Sequence, residues 1–211
     1  MCIRRRISDA KRRKVKRFYC ELRCNLTVQY GNGVAESGCS IEYGACMTVL
    51  TSIKYLDERQ IPYEHKSFPS TTEKGAANVA RALGFRERQM VKTLVFESDK
   101  GEAALIMVGG DQSAISGHLK KVLGSRNISM CNPERVIEIT GYPIGSIPPF
   151  HWQPSGFRTF LEASLINEEV LGVGTGCWGE EILIKPQDLI RASNAIVVNL
   201  TDRDKPATIE Q

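Results

Sequence analysis

Ten residues, Gly141-Tyr-Pro-Ile-Gly-Ser-Ile-Pro-Pro-Phe150, constrain this chain more than any other stretch. They hold two glycines, three prolines and two aromatics. No helix passes through so many prolines, and a central strand would lose ladder donors. The stretch is a shaped loop with a stiff backbone, and its apolar side chains exceed what a solvated linker needs. Gly145 permits close backbone approach to another group, and Pro148-Pro149 fix the direction of exit. By itself the loop fits a proline-rich surface turn as well as the wall of a site.

The patterned elements run from Met47 to Leu200. Val49, Leu50, Ile53 and Leu56 are spaced as one helical face ending before Pro62. Tyr63 to Phe68 alternates as a short strand, and Pro69-Ser70-Thr71-Thr72 offers hydroxyls to cap the next helix. That helix carries Ala76, Ala77, Val79, Ala80 and Leu83 and closes at Gly84. Val91–Glu97 and Ala103–Val108 flank an Asp99-Lys100-Gly101 turn and predict a β-hairpin, ended by Gly109-Gly110-Asp111. Ile115 to Leu123 predicts a helix stopped by Gly124. Pro133 to Ile139 predicts another, with Asn132 as cap and proline at the first position. Beyond the loop, Arg158–Ile166, Leu171–Gly174, Ile182–Ile184 and Ile196–Leu200 read as strands, and Pro186–Ala192 as a helix. This order predicts an α+β fold, a mixed, largely antiparallel sheet with short helices packed around it.

Charge and cysteine divide the chain. Residues 1–46 carry ten Lys/Arg against four acids, and the remainder 18 against 20, within a net +4 over 211 residues. The body is nearly neutral, so a broad electrostatic grip on phosphate belongs to the extension or to a local patch. Residues 1–46 are expected to be a basic, Cys-containing extension, poorly ordered or non-native; 47–200 the folded domain; 201–211 a polar tail. The cluster from Lys11 to Arg17 is also compatible with an RNA-binding arm. Five of the seven cysteines, Cys2, Cys20, Cys24, Cys39 and Cys46, lie in the extension. Cys20-x3-Cys24 and Cys39-x6-Cys46 are spaced more loosely than paired zinc ligands, so no metal site is expected. An odd cysteine count without a secretory apolar segment points to a reducing cytoplasm. No apolar run reaches membrane-spanning length, and no membrane partner is expected.

Few residues are arranged for covalent chemistry. His65, His118 and His151 are the only histidines, and none sits in a nucleophile-elbow or zinc-ligand motif. Cys177 between Gly176 and Trp178 is better read as a small buried thiol than as a nucleophile. Gly172-Val-Gly174-Thr-Gly176 lies between strands where a dinucleotide-binding turn would open a helix, which excludes that reading. Lys92 stands out: strand alternation places it on the face of Leu94 and Phe96, where its ammonium must reach water, an acid or an anionic ligand. A glycine-proline loop offering amides to an oxyanion, with a lysine holding phosphate or ribose, would speed hydrolysis of an already activated ester.

These segments resemble the YbaK/prolyl-tRNA-synthetase-associated domain family, free-standing aminoacyl-tRNA deacylases related to the editing insertion of bacterial prolyl-tRNA synthetases. The resemblance is carried by Val91-Lys92-Thr93-Leu94-Val95, Gly109-Gly110-Asp111, the Gly145–Pro149 G-x-x-x-P loop, and Gly174-x-Gly176 followed by Glu180–Leu189. It spans about Thr48 to Asn199. It implies hydrolysis of the ester between a wrong amino acid and a tRNA 3′ end, without cofactor or metal. Lys92, Gly145 and Ser146 are the implied catalytic residues. Lys92 would hold the terminal adenosine, and amides around Gly145 and Ser146 the ester oxygen. Gly110, Asp111, Gly141 and Glu181 join the implied substrate-binding residues, and Pro148, Pro149 and Phe150 would form the wall meeting the amino-acid side chain. Water, or a group of the substrate such as a cysteine thiol, would be the nucleophile. The implied partners are the aminoacyl-tRNA acceptor end and prolyl-tRNA synthetase, not DNA. Glu181 stands where some relatives carry aspartate in Gly-x-Asp, and Pro148 where some carry a small polar residue, so alanine and cysteine on tRNA(Pro) both remain open. A non-enzymatic tRNA-binding adaptor with a degenerate editing fold is the alternative, and a hydrolase of free aminoacyl esters a third.

Overall fold

The computed structural model describes residues 47–202 and Asp204. The Lys11–Arg17 cluster, the paired cysteines up to Cys46 and the end of the polar tail lie outside the described residues. Five helices and eight strands follow one another along the described chain, with two short 3-10 turns among them.

Helix α1 (Met47–Glu58) buries Leu56 completely against the main core and stops before Pro62, with Gln60 left-handed at φ 52. Strand β1 (Glu64–Ser67) follows. Helix α2 (Ala76–Leu83) closes on Gly84 in the left-handed conformation. Its start differs from expectation. The hydroxyls at 70–72 cap nothing; the helix opens at Gly75, φ 134, with no side-chain cap. The Pro69–Lys74 segment is a loop held instead by the Trp178 indole N–H, which donates to the carbonyl of Thr72 at 3.2 Å.

The hairpin forms as the alternation requires: β2 (Val91–Ser98) and β3 (Ala103–Gly109) pair antiparallel, Lys92 opposite Val108 and Leu94 opposite Ile106. Ala104 to Val108 are fully buried, which explains why β3 is apolar at consecutive positions rather than alternating. Helix α3 (Ser116–Leu123) buries Leu119 and Leu123. Helix α4 (Pro133–Thr140) is built as its code dictates: Asn132 accepts from the amide of Arg135 at 2.8 Å, Pro133 opens the first turn, and Gly141 ends it at φ 78. Between them lies an unpredicted strand, β4 (Ile128–Met130). It is three residues long, and only pairing with the far end of β2 defines it.

After the loop come β5 (Arg158–Glu162), β6 (Leu171–Gly174), β7 (Glu180–Ile184), α5 (Pro186–Ser193) and β8 (Ile196–Val198). The Arg158 guanidinium donates to the carbonyls of Val122 and Leu123, satisfying the open end of α3. The strand expected to run from Arg158 to Ile166 ends at Glu162. That buried carboxylate accepts from the amides of Ser164 and Leu200 and turns the chain into a 3-10 segment, Ala163–Asn167.

Two sheets result. One is β4-β2-β3-β5-β8, antiparallel at its first three strands and parallel from β3 through β5 to β8. The other is the antiparallel β1-β7-β6. The architecture is α+β, mixed and largely antiparallel, as the sequence predicts, with two sheets in place of one. They meet at a single parallel bridge, Met90 to Gly172. The largest core cluster joins Leu56, Met107, Phe150, Leu161, Ile182 and Leu189 from both sheets and α5. Each fully buried Leu or Phe contributes ~1.5–3 kcal/mol.

Candidate active site

A cavity of about 340 Å³ opens beside the junction of the sheets. Met90 through Leu94 form one wall, and Lys74, Gly75, Ala76 and Val79 a second. Ile144, Gly145 and Ile147 of the loop form a third, and Gly174, Trp178 and Glu181 a fourth. Lys92, Gly145 and Glu181, far apart in sequence, thus share one cavity.

The loop is held by its carbonyls. Those of Ser146, Ile147, Pro148 and Pro149 accept in turn from the Gly176 amide at 2.7 Å, Thr93 Oγ1 at 3.2 Å, Trp152 Nε1 at 2.5 Å and Gln153 Nε2 at 2.7 Å. In a trans peptide the N–H points opposite to the C=O, so the Ile147 amide faces away from Gly176. Among the described residues, the amides of Gly145 and Ile147 donate to no protein acceptor, and that of Ser146 makes only a 3.5 Å contact with Pro143 O. The base of the loop is stapled by Tyr142 Oη and His151 Nε2 at 3.0 Å. Burial pushes the Tyr142 hydroxyl up to about 12 and lowers the His151 imidazole, so the staple joins two neutral groups.

Three glycines excluded above from a nucleotide-binding turn prove to be the backing of this loop. A Cβ on Gly174 would stand 2.6 Å from the carbonyl carbon and oxygen of Ser146. One on Gly172 would stand 2.6 Å from the end of the Met90 side chain. Gly176, at φ 101, turns its amide onto Ser146.

Two cations reach the site. Lys92 donates to the backbone carbonyl of Gln112 at 2.5 Å. Gln112 is itself fixed: its side chain accepts from the Gly109 amide and donates to Ser164 and Thr201. One of the three ammonium donors is used, and two remain for a ligand. Lys74, which the sequence reading did not single out, lines the mouth and donates to Ile144 O at 3.4 Å. Its signal was weak: an exposed lysine just before a helix start.

Glu180 and Glu181 diverge by strand alternation. Glu180 accepts from Ser67 at 2.7 Å and pairs with His65 at 2.8 Å. Glu181 turns inward; it is 8% exposed, and among the described residues no donor reaches its carboxyl. Burial pushes that carboxyl up to about 8.

The other expected site residues fall elsewhere. Phe150 is fully buried, stacked on Tyr55 at 5.5 Å in the main core, so it cannot be the wall that meets a substrate side chain. Pro148 and Pro149 are buried and do not line the cavity. The apolar wall is made by Val79, Met90, Ile147 and Trp178 instead. Ser146 presents its backbone to Gly174 and does not line the cavity. Gly141 is the exposed end of α4. Gly110 packs on the 3-10 turn Glu87–Gln89, where a Cβ would meet Glu87 O at 2.4 Å. Asp111 pairs with Arg88, which holds its carboxyl below the ordinary range. Both support the Gln112 turn from outside the cavity.

The two-sheet α+β body thus carries a cavity lined by the glycine-proline loop, Lys74, Lys92 and Glu181, with no histidine, cysteine or serine among its lining residues. Residues 71–192 match the aminoacyl-tRNA editing domain, and the chain belongs to that family. It is 23% identical to a candidate Cys-tRNA(Pro)/Cys-tRNA(Cys) deacylase, EbsC, of Enterococcus faecalis, over 72% of this chain and 93% of that one. It is 36% identical over 97 residues to the proline–tRNA ligase of Citrifermentans bemidjiense, covering 46% of this chain but 16% of the ligase. A crystal structure of a candidate trans-editing enzyme for prolyl tRNA synthetase superposes with a TM-score of 0.67 at 25% identity, covering 74% of this chain and 98% of that one.

Proposed function

We propose that this chain is an aminoacyl-tRNA deacylase that hydrolyses the ester of a small wrong amino acid, alanine or cysteine, on tRNA(Pro). The observation that carries the reading is the pair of unpaired loop amides, Gly145 and Ile147, on a cavity with two ammonium groups at its wall and mouth. An aminoacyl ester is already activated, so placement and charge stabilisation suffice. Water adds to the carbonyl carbon, and the carbonyl electrons move to the oxygen facing the Gly145–Ile147 amides. Collapse breaks the bond to the ribose oxygen, which leaves with a proton from the attacking water. Lys92, steadied by Gln112, and Lys74 at the mouth supply positive charge for the terminal ribose-phosphate. The apolar floor of Val79 and Met90 suits a methyl or thiol side chain.

Prolyl-tRNA synthetase is the partner that this substrate implies, and the cytoplasm the compartment. A panel of tRNAs misacylated with alanine, cysteine, serine and proline, assayed for release of the amino acid, tests the reading. Alanine or cysteine release from tRNA(Pro) is expected. Strong, salt-dependent tRNA binding without cleavage, lost on removal of residues 1–46, would establish the adaptor instead.

A further inference from the structure

Glu181 is the one acidic group lining the cavity, and the mechanism above leaves it without a task. Glu181 as a residue is 8% exposed, and a carboxyl so largely withdrawn from water with no donor reaching it among the described residues is costly in a folded protein. It is also close to the reacting centre. Glu181 pairs in register with Gly174, and Gly174 abuts the Ser146 peptide that positions the Ile147 amide. The other charged groups around it are cationic or already engaged. Lys74 and Lys92 line the same cavity, Lys66 lies opposite in register with its ammonium on Glu64, and Glu180 faces away toward His65 and Ser67. A cationic substrate group entering this cavity meets two lysines and the positive start of α2, and needs a carboxylate to be accepted.

From this juxtaposition we infer that Glu181 binds the free α-ammonium of the aminoacyl ester, so that the site takes aminoacyl-tRNA and refuses tRNA whose amino acid is blocked on nitrogen, as in N-acylated or peptidyl esters. The α-ammonium is one carbon from the carbonyl held by the loop amides. No other part of a small aminoacyl group carries positive charge. With its carboxyl pushed up to about 8 by burial, Glu181 gives up its proton readily when a cation arrives near neutral pH. An N-acyl group would bring an uncharged amide and extra bulk to a site that offers a carboxyl and the Met90 thioether.

This inference rests on the deacylase reading, and the experiment separates the two. The full-length chain and its Glu181→Gln variant are assayed on Ala-tRNA(Pro) and Cys-tRNA(Pro), each with a free and an N-acetylated α-amine. Wild type is expected to cleave the free-amine esters at least about tenfold faster than the acetylated ones, the worth of one charge-assisted hydrogen bond. Glu181→Gln is expected to lose about ten- to a hundredfold on the free-amine esters and nothing on the acetylated ones. Equal wild-type rates on both forms overturn the inference and leave the deacylase reading intact. So does an equal loss on both forms in the variant, which is the signature of a general base or a structural role. No cleavage of any free aminoacyl-tRNA by wild type removes the reading and the inference together. Binding of an alanyl-amide analogue of the 3′-adenosine to wild type, with and without an N-acetyl group, requires no variant to fold. Indifference to the acetyl group there overturns the inference as well.

Discussion

The amide of Gly176 donates to the carbonyl of Ser146 at 2.7 Å, and two residues earlier Gly174 leaves no space for a Cβ against the same peptide. A glycine-rich strand end thus acts as the mould of the Gly145–Ile147 loop. The first prediction follows from that contact. Gly174→Ala places a methyl 2.6 Å from Ser146 backbone atoms, where no flexible side chain can yield. Overpacking of this kind costs ~1–3 kcal/mol. Deacylation should fall at least about tenfold, beyond what stability explains, because the displaced peptide carries the Ile147 amide. A crystal structure of the variant with an unmoved loop and full activity would overturn the assignment.

Gly145 tests the loop from the other side. Its φ is 99, and a Cβ would find only Lys74 at 3.8 Å and Trp178 at 3.9 Å. The penalty for Gly145→Val is therefore backbone strain of ~1–3 kcal/mol, not crowding. Ser146→Ala leaves the backbone unchanged. Single-turnover rates should be lowered far more by Gly145→Val; the reverse order would assign the chemistry to the Ser146 hydroxyl.

The two lysines should separate by their readouts. Lys92→Ala removes a positioned ammonium and leaves Gln112 O without its donor, so kcat/KM should drop at least about tenfold with ~1 kcal/mol lost in a thermal melt. Lys74 is exposed at the mouth. Lys74→Ala should weaken tRNA affinity at low salt and reduce the salt slope by about one, leaving stability unchanged.

Glu181 predicts a pH-dependent stability. Its carboxyl ionises near 4.5 when unperturbed and near 8 in the folded chain. The folded state therefore holds its proton longer, and the contribution is present below 4.5 and lost as pH rises toward 8. Glu181→Gln should melt like wild type at pH 4.5 and higher than wild type at pH 8, by up to about 5 kcal/mol in unfolding free energy. Parallel melting curves across that range would show that the carboxyl is solvated in the folded protein.

Local code was legible wherever the chain answers to its own neighbours. Asn132-Pro133 and Gly141 bound α4, and alternation with an Asp-Lys-Gly turn gave the β2–β3 hairpin. The sequence missed β4, whose three residues exist as a strand only through Phe96, Glu97 and Ser98. It extended β5 too far, because the turn is made by the Glu162 carboxylate meeting Leu200, 38 residues away. In the site, the sequence marks Lys92, Gly145 and Glu181 but not Lys74, Thr93, Met90 or Trp178. These four have no local signature; each gains its place from a partner more than fifty residues distant in the chain or from another wall of the cavity.

By itself the sequence determined that Gly141–Phe150 is neither helix nor strand, because proline and glycine act on the backbone of their own residues. Only the tertiary structure decided which part of that loop faces a ligand. Ile147 and Gly145 line the cavity while Phe150 enters the core, and that division is set by Gly174, Gly176 and Tyr55, residues whose proximity no local pattern encodes.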